Sequence, residues 1–212
     1  MIANNEIITG IVAFLIGYLL GSIPAAYIFT RLTTGKDIRR LGGGNVGGLN
    51  TLREVGVVPA IGVTIVDFGK GAAVVAVTHW LLGLDQFYVF LAAGAAVVGH
   101  NWMAWLRFTG GRGMGATVGA LAVLMPVFGY VTGLWILLGI IVVPLALTRN
   151  VALAMGIGLV ALPFIAWLGG THSGLFVVWS VAVGILIAVK FAPAAVAAFA
   201  QSNGIRDFIL GH

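Results

Sequence analysis

A chain of 212 residues that is 60% hydrophobic and only 8% charged, with a mean hydropathy of +1.11, lies outside the range of soluble globular domains and reads as an integral membrane protein. The net charge of +5 would suit nucleic acid in a soluble protein, but here the basic residues sit in short loops between apolar runs, so they read as an orientation signal and no nucleic-acid partner is expected. The absence of cysteine excludes thiol catalysis, disulfides and thiolate metal sites.

The apolar runs lack the alternation of barrel strands, so helices must satisfy the backbone in lipid and an all-α, polytopic fold follows. A span needs roughly 20 residues. Residues 7–30 qualify, with Gly17, Gly21, Ser22 and Pro24 marking the second half as packed against protein and kinked. With no basic stretch before this run and no small-residue cleavage site after it, it reads as a retained helix rather than a signal peptide.

Residues 31–56 form a long polar loop, and residues 57–82 a second span interrupted by Asp67 and Lys70. A turn at 83–86 leads to a third span, 87–106. After a loop at 107–113, residues 114–125 make only about 18 Å of helix before Pro126 turns the chain. Residues 127–147, 151–168 and 174–192 complete the set. About seven transmembrane helices are therefore expected, in one helical membrane domain over 1–192, followed by a tail over 193–212 on the cytoplasmic side.

The basic residues orient this map. With the N-terminus outside and seven crossings, Arg31, Lys36, Arg39, Arg40, Arg53, Arg107, Arg112, Arg149, Lys190 and Arg206 all fall inside, and the C-terminus is cytoplasmic. Six crossings would put Arg149 and Lys190 on the wrong side. His79 and His172 map near the outer face. No internal repeat is visible, which disfavours a duplicated transporter fold.

Two polar islands on the inner side carry the chemistry. In the first, residues 31–53, the glycine run Gly42 to Gly44 allows close backbone approach, Asn45 and Asn50 add uncharged donors, and Arg39 and Arg53 can grip phosphate oxygens in a fork. In the second, residues 100–117, Gly110, Gly111, Arg112 and Gly113 run straight into an apolar segment, so backbone amides can converge on an anion at a helix start. A flexible loop with orienting charges explains the first island equally well. For the second, the alternative is a positive-inside turn anchored by Trp102 and Trp105, with His100 and Asn101 as helix caps. Asp67 and Lys70, three apart on one helix face, must pair or face a polar cavity, because an unpaired charge in a span costs at least about 2.5–3.5 kcal/mol.

Absences narrow the reaction. No histidine precedes an aspartate by five positions, no Gly-x-Ser-x-Gly elbow exists, and metal-ligand clusters of histidine with carboxylates are missing, so neither metal nor cofactor is expected. An enzyme of this composition must rely on positioning and electrostatics and on an already activated donor.

Three blocks resemble the bacterial acyl-phosphate:glycerol-3-phosphate acyltransferases: Gly21-Ser22-Ile23-Pro24 with Asp37-Ile38-Arg39 and residues 42–53; Asp67-Phe68-Gly69-Lys70-Gly71; and Gly99-His100-Asn101 through Phe108-Thr109-Gly110-Gly111-Arg112-Gly113 to Thr117. The likeness spans about residues 7–190. It implies a seven-helix enzyme of the bacterial inner membrane with its site on the cytoplasmic side. The implied reaction moves a fatty acyl group from acyl phosphate to the 1-hydroxyl of glycerol 3-phosphate. A substrate phosphate would take the hydroxyl proton, so no protein base is assigned.

On this resemblance Arg112 and Arg39 supply electrostatic support. Arg112 and the amides of Gly110, Gly111 and Gly113 hold the acyl phosphate, the group Arg39, Asn45, Asn50 and Arg53, with Ser22 and Lys70 nearby, holds glycerol 3-phosphate or a shared phosphate, and Gly43, His100, Asn101 and Thr117 complete the substrate-binding set. The expected partners are thus acyl phosphate, glycerol 3-phosphate and the bilayer, with the oligomeric state undetermined. The chain departs from the family pattern in having Gly43 for serine, Leu49 for threonine and Arg112 for lysine. In the tail, only Asn203, Ile205 and Arg206 match the family's last block. A non-catalytic membrane protein that binds or transports a phosphorylated lipid or organic anion is the alternative.

Overall fold

The computed structural model describes residues 5–168 and 173–201; His172 and the family's last block, residues 201–212, lie outside it apart from Gln201. Among the described residues the chain is helical, with nine α-helices: α1 (Glu6–Gly21), α2 (Ala25–Thr34), α3 (Gly48–Glu54), α4 (Val57–Ala76), α5 (Gln86–Asn101), α6 (Met114–Val127), α7 (Val131–Thr148), α8 (Val151–Leu168) and α9 (Gly174–Gln201). The chain divides into two compact units between Leu124 and Met125, within α6.

Among the described residues, five runs are long and apolar enough to cross a membrane: Glu6–Thr34, Val57–Leu81, Val131–Thr148, Val151–Leu168 and Gly174–Pro193. The first is α1 plus α2, broken at Ser22-Ile23-Pro24, where Pro24 has no amide hydrogen to continue the helix. α5 and α6, with 16 and 14 residues, reach only about 24 and 21 Å. The third expected span, 87–106, is therefore shorter than its hydrophobicity suggested. Trp102 leaves helical geometry (φ −134°, ψ 73°), and the chain doubles back so that Met103 pairs with Thr109. Pro126 sits in the last turn of α6, and the chain turns instead at Gly129, whose φ of 85° suits a residue without a Cβ. α9 continues past Pro193 to Gln201, where the sequence suggested a break.

In the first unit, α1 lies on α5 by backbone contact. Gly17 meets the main chain of Ala92, Gly21 that of Ala96, and Gly99 that of Tyr18, so a Cβ at any of the three would overlap backbone atoms. Helices embedded in lipid gain little from apolar burial against each other, and small residues spaced by four let them approach for dispersion contact instead. α4 meets the start of α6 in the same way, Gly71 against Ala116 and Gly119 against Phe68. Ile38, Val46, Val63, Met103 and Leu106 are buried beneath the polar loops with Ala25 and Ala26. Outward faces expose large apolar side chains, among them Ile7, Leu15, Val58, Ile65 and Trp80, as a lipid-facing surface requires.

In the second unit α7 packs on α8 and α8 on α9. Gly158 receives Ile141, and Gly133 receives Ile165. Tyr130 is fully buried, its hydroxyl accepts from the Ser173 amide at 3.3 Å, and its ring meets Phe176 edge-on at 4.8 Å.

Gly21→Val forces α1 off α5 and is expected to lower stability by about 3 kcal/mol or more. Gly69→Ala, where a Cβ meets nothing within 4 Å, should be neutral or stabilising. Thermal unfolding midpoints in one detergent compare the two.

Candidate active site

The end of α1 and the end of α5 meet where the polar loops begin. Ser22 is fully buried; its hydroxyl donates to the Gly99 carbonyl at 3.4 Å and accepts from the Ala104 amide at 3.5 Å. It is thus a strut between helix ends, and Tyr18 adds a second by donating to the Trp102 carbonyl at 2.9 Å. Directly below, Lys70 donates to the Ile23 carbonyl at 3.1 Å, across the α1–α2 break.

Lys70 is held on its other side by Asp67, Nζ to Oδ1 at 2.9 Å, and His100 Nδ1 approaches the same oxygen at 3.4 Å. All three residues are buried. Both contacts converge on one oxygen away from the ideal hydrogen-bond direction, so the attraction is chiefly Coulombic. α6 starts against this cluster: a Cβ on Gly115 would sit 3.0 Å from that of Asp67.

The two glycine-rich islands meet at the other side of His100. The Gly111 amide donates to the His100 carbonyl at 2.9 Å, and a Cβ on Gly111 would strike His100 Nε2 and approach the Val46 carbonyl to 2.7 Å. Gly110 lies against the carbonyls of His100 and Asn101. Only glycines allow backbone, imidazole and a second loop to stack this closely. Asn101 is fully buried, and neither end of its amide has a hydrogen-bond partner, an arrangement that costs free energy unless a bound group or water completes it.

In the first island Asn50 is structural. Its amide donates to the carbonyls of Leu41 (3.1 Å) and Asn45 (3.0 Å), pinning the glycine run, in which Gly42 and Gly44 take φ of 51° and 67°. Gly43 is exposed with open space around it, and Asn45 is half-buried. Thr117 donates to the Gly113 carbonyl at 2.9 Å and so steadies the first turn of α6.

Arg53, exposed on α3, and Arg112, half-buried in the second island, are brought into each other's field. Burial first, and the Arg53 charge second, push the Arg112 guanidinium below its ordinary pKa. Two like charges from separate loops repel, and an anion between them relieves the repulsion.

Arg39 occupies a different place. Its guanidinium chelates Asp37, with the shortest contact 2.6 Å, lies 5.5 Å from the Tyr27 ring centre, and reaches Leu106 O and Thr109 Oγ1 at 3.4 and 3.5 Å. Asp37 also accepts from the Arg39 amide at 3.0 Å, capping a short turn. The pair latches the first island to the Met103–Thr109 loop, in which Arg107 and Phe108 both hold positive φ.

The sequence signalled Asp67 through its charge inside a span, its spacing from Lys70 and its place in a family block; its contact with His100 joins helices far apart in the chain and has no local pattern. The same is true of Thr109 as a partner of Arg39.

Arg39 hydrogen bonds hold the Asp37 carboxyl below its ordinary pKa, so the latch is intact above the unfolded value near 4 and is lost as pH falls through the depressed folded value. Asp37→Asn should cost about 1 kcal/mol or less at pH 7 and nothing in strong acid, and should speed hydrogen exchange of residues 106–109.

The profile of the glycerol-3-phosphate acyltransferase family matches residues 11–200. Glycerol-3-phosphate acyltransferase 1 of Dehalococcoides mccartyi is 50% identical over 179 residues, 84% of this chain and 86% of that protein. A glycerol-3-phosphate acyltransferase of a Synechococcus species is 42% identical over 161 residues, covering 76% of each. The crystal structure of PlsY, an integral membrane glycerol 3-phosphate acyltransferase, in its glycerol 3-phosphate form superposes with a TM-score of 0.80 at 22% identity, covering 90% of this chain and 92% of that one. Its lysophosphatidic acid form gives 0.74 at 20% identity, covering 96% and 99%. The glycine-rich islands, the buried Asp67–Lys70 pair and the short sixth helix all fall inside the matched stretch, and the chain belongs to the glycerol-3-phosphate acyltransferase family.

Proposed function

We propose that this protein transfers a fatty acyl group from acyl phosphate to the 1-hydroxyl of glycerol 3-phosphate, releasing lysophosphatidic acid and inorganic phosphate, the first step of phospholipid synthesis. Membership of the family supports the reaction class. The observation that carries the reading on this chain is the meeting of two glycine-rich loops at Gly111, against His100 and the Val46 carbonyl, next to the half-buried Arg112.

An acyl phosphate is a mixed anhydride whose leaving group is already good. The glycerol hydroxyl oxygen attacks the acyl carbon, the bond from that carbon to the bridging oxygen breaks, and a phosphate oxygen takes the proton. Arg112 and the amides beside it neutralise the departing phosphate, while Arg53 with Asn45 holds the acceptor's phosphate. No histidine–serine pair or thiol is required, which suits a chain without cysteine and a site whose buried serine is already a strut. In this reading Arg39 and Asn50 act by shaping the loops rather than by touching substrate.

The site faces the cytosol. Seven crossings, with α5 and α6 short and helped by the polar loops at their inner ends, leave the N-terminus outside and place both islands inside a bacterial inner membrane.

Purified protein in lipid nanodiscs given palmitoyl phosphate and glycerol 3-phosphate should release inorganic phosphate in step with lysophosphatidic acid. Release no faster than buffer hydrolysis would overturn the assignment. Arg112→Ala should lower turnover by about 100-fold or more with the fold retained, and Arg112→Lys should keep most of it. The natural absence of cysteine gives a clean background for orientation. An impermeant maleimide should label Asp85→Cys in intact cells and Lys36→Cys only in inverted vesicles; the reverse pattern inverts the topology.

A further inference from the structure

Three ionisable side chains, Asp67, Lys70 and His100, are each 5% exposed or less, in a part of the chain otherwise filled with apolar residues. Burying such groups is a poor source of stability, since apolar side chains of equal volume do as well or better. Their geometry does something apolar side chains cannot. The Asp67 carboxylate meets Lys70 at 2.9 Å and His100 Nδ1 at 3.4 Å; Lys70 continues to the Ile23 carbonyl at 3.1 Å; and Asp67 Cβ faces Gly115 in the first turn of α6. The other imidazole nitrogen, Nε2, lies against Gly111. One carboxylate is therefore linked to the α1–α2 break, the end of α5, the start of α6 and, through one imidazole, to the second glycine-rich loop.

A neutral imidazole carries a single proton, and a carboxylate beside Nδ1 keeps it there. In that tautomer the nitrogen on the side of Gly111 carries no proton. Replacing the carboxylate by an amide of the same shape leaves the ring in place and removes what selects its tautomer.

We infer that Asp67 is a positioning residue for acyl transfer, acting through His100: it sets the tautomer of the imidazole on which the Gly110–Arg112 segment rests. The kinetic part of this inference rests on the acyltransferase reading above; the tautomer part does not.

The test uses the full chain, its Asp67→Asn form and the Asp67→Asn/Lys70→Met double form, with nitrogen-15 histidine spectra and steady-state kinetics on palmitoyl phosphate and glycerol 3-phosphate. Of the four histidines, the His100 signals are those lost in His100→Gln. The unmodified chain should show a protonated Nδ1 and a bare Nε2, and Asp67→Asn should shift or mix these signals. It should lower kcat about 100-fold with the glycerol 3-phosphate KM changed less than about threefold, the mark of lost alignment rather than lost binding. The double form, relieved of an orphaned ammonium, should regain the thermal midpoint and keep the low kcat; a purely structural role would restore both.

Unchanged His100 signals in Asp67→Asn, or full kcat in the double form, overturns the inference. If neither Asp67 form folds, His100→Gln decides: it keeps a polar group toward Gly111 but frees it from Asp67, so a kcat as low as that of His100→Asn supports the inference and a full kcat overturns it. Absence of turnover in the unmodified chain would sink the acyltransferase reading while the spectra still answered the tautomer question.

Discussion

The contact between the backbones of α1 and α5 governs the rest of the first unit. Gly17 and Gly21 against Ala92 and Ala96 allow main chain to touch main chain, and Gly99 extends the contact to the end of the helix. In lipid no expelled water drives helices together, so close dispersion contact over small residues has to do it. That contact sets where α5 ends relative to Ser22 and Tyr18, whose hydroxyls then bond to the Gly99 and Trp102 carbonyls. The loop after α5 leaves in one direction because two side chains of α1 hold its first residues.

Charge is organised in two different ways above that frame. Asp37 with Arg39, and Asp67 with Lys70, are matched pairs whose work is mechanical: one latches loop to loop, the other ties helix ends together beneath the loops. Arg112 is instead half-buried within the field of the like-charged Arg53 of α3, an arrangement with an electrostatic cost.

Much of this was legible in the residues. Apolar runs gave the helices, the glycine-rich islands marked where backbone would approach closely, and the spacing of Asp67 and Lys70 placed them on one helix face. The family resemblance carried by three short blocks agreed with the family match over residues 11–200. Other features were hidden for a physical reason. Arg39 reads as an anion-gripping residue with no sign of the Leu106 and Thr109 contacts beside its Asp37 pair, and Ser22 reads as packed against protein without showing that Gly99 and Ala104 are its partners. Residues 87–106 are apolar enough to suggest one helix, yet Trp102 breaks it, because pairing Met103 with Thr109 is a tertiary choice with no local motif.

Composition and periodicity alone determined that the protein is helical and belongs in a membrane, since each follows from the free energy of moving one residue or one peptide unit between water and lipid. Only the tertiary structure decided that Arg39 reaches Leu106 and Thr109, and that Asp67 and His100 approach one another. Those facts depend on distances between segments remote in sequence, and such distances are set by how closely glycine and alanine let backbones approach.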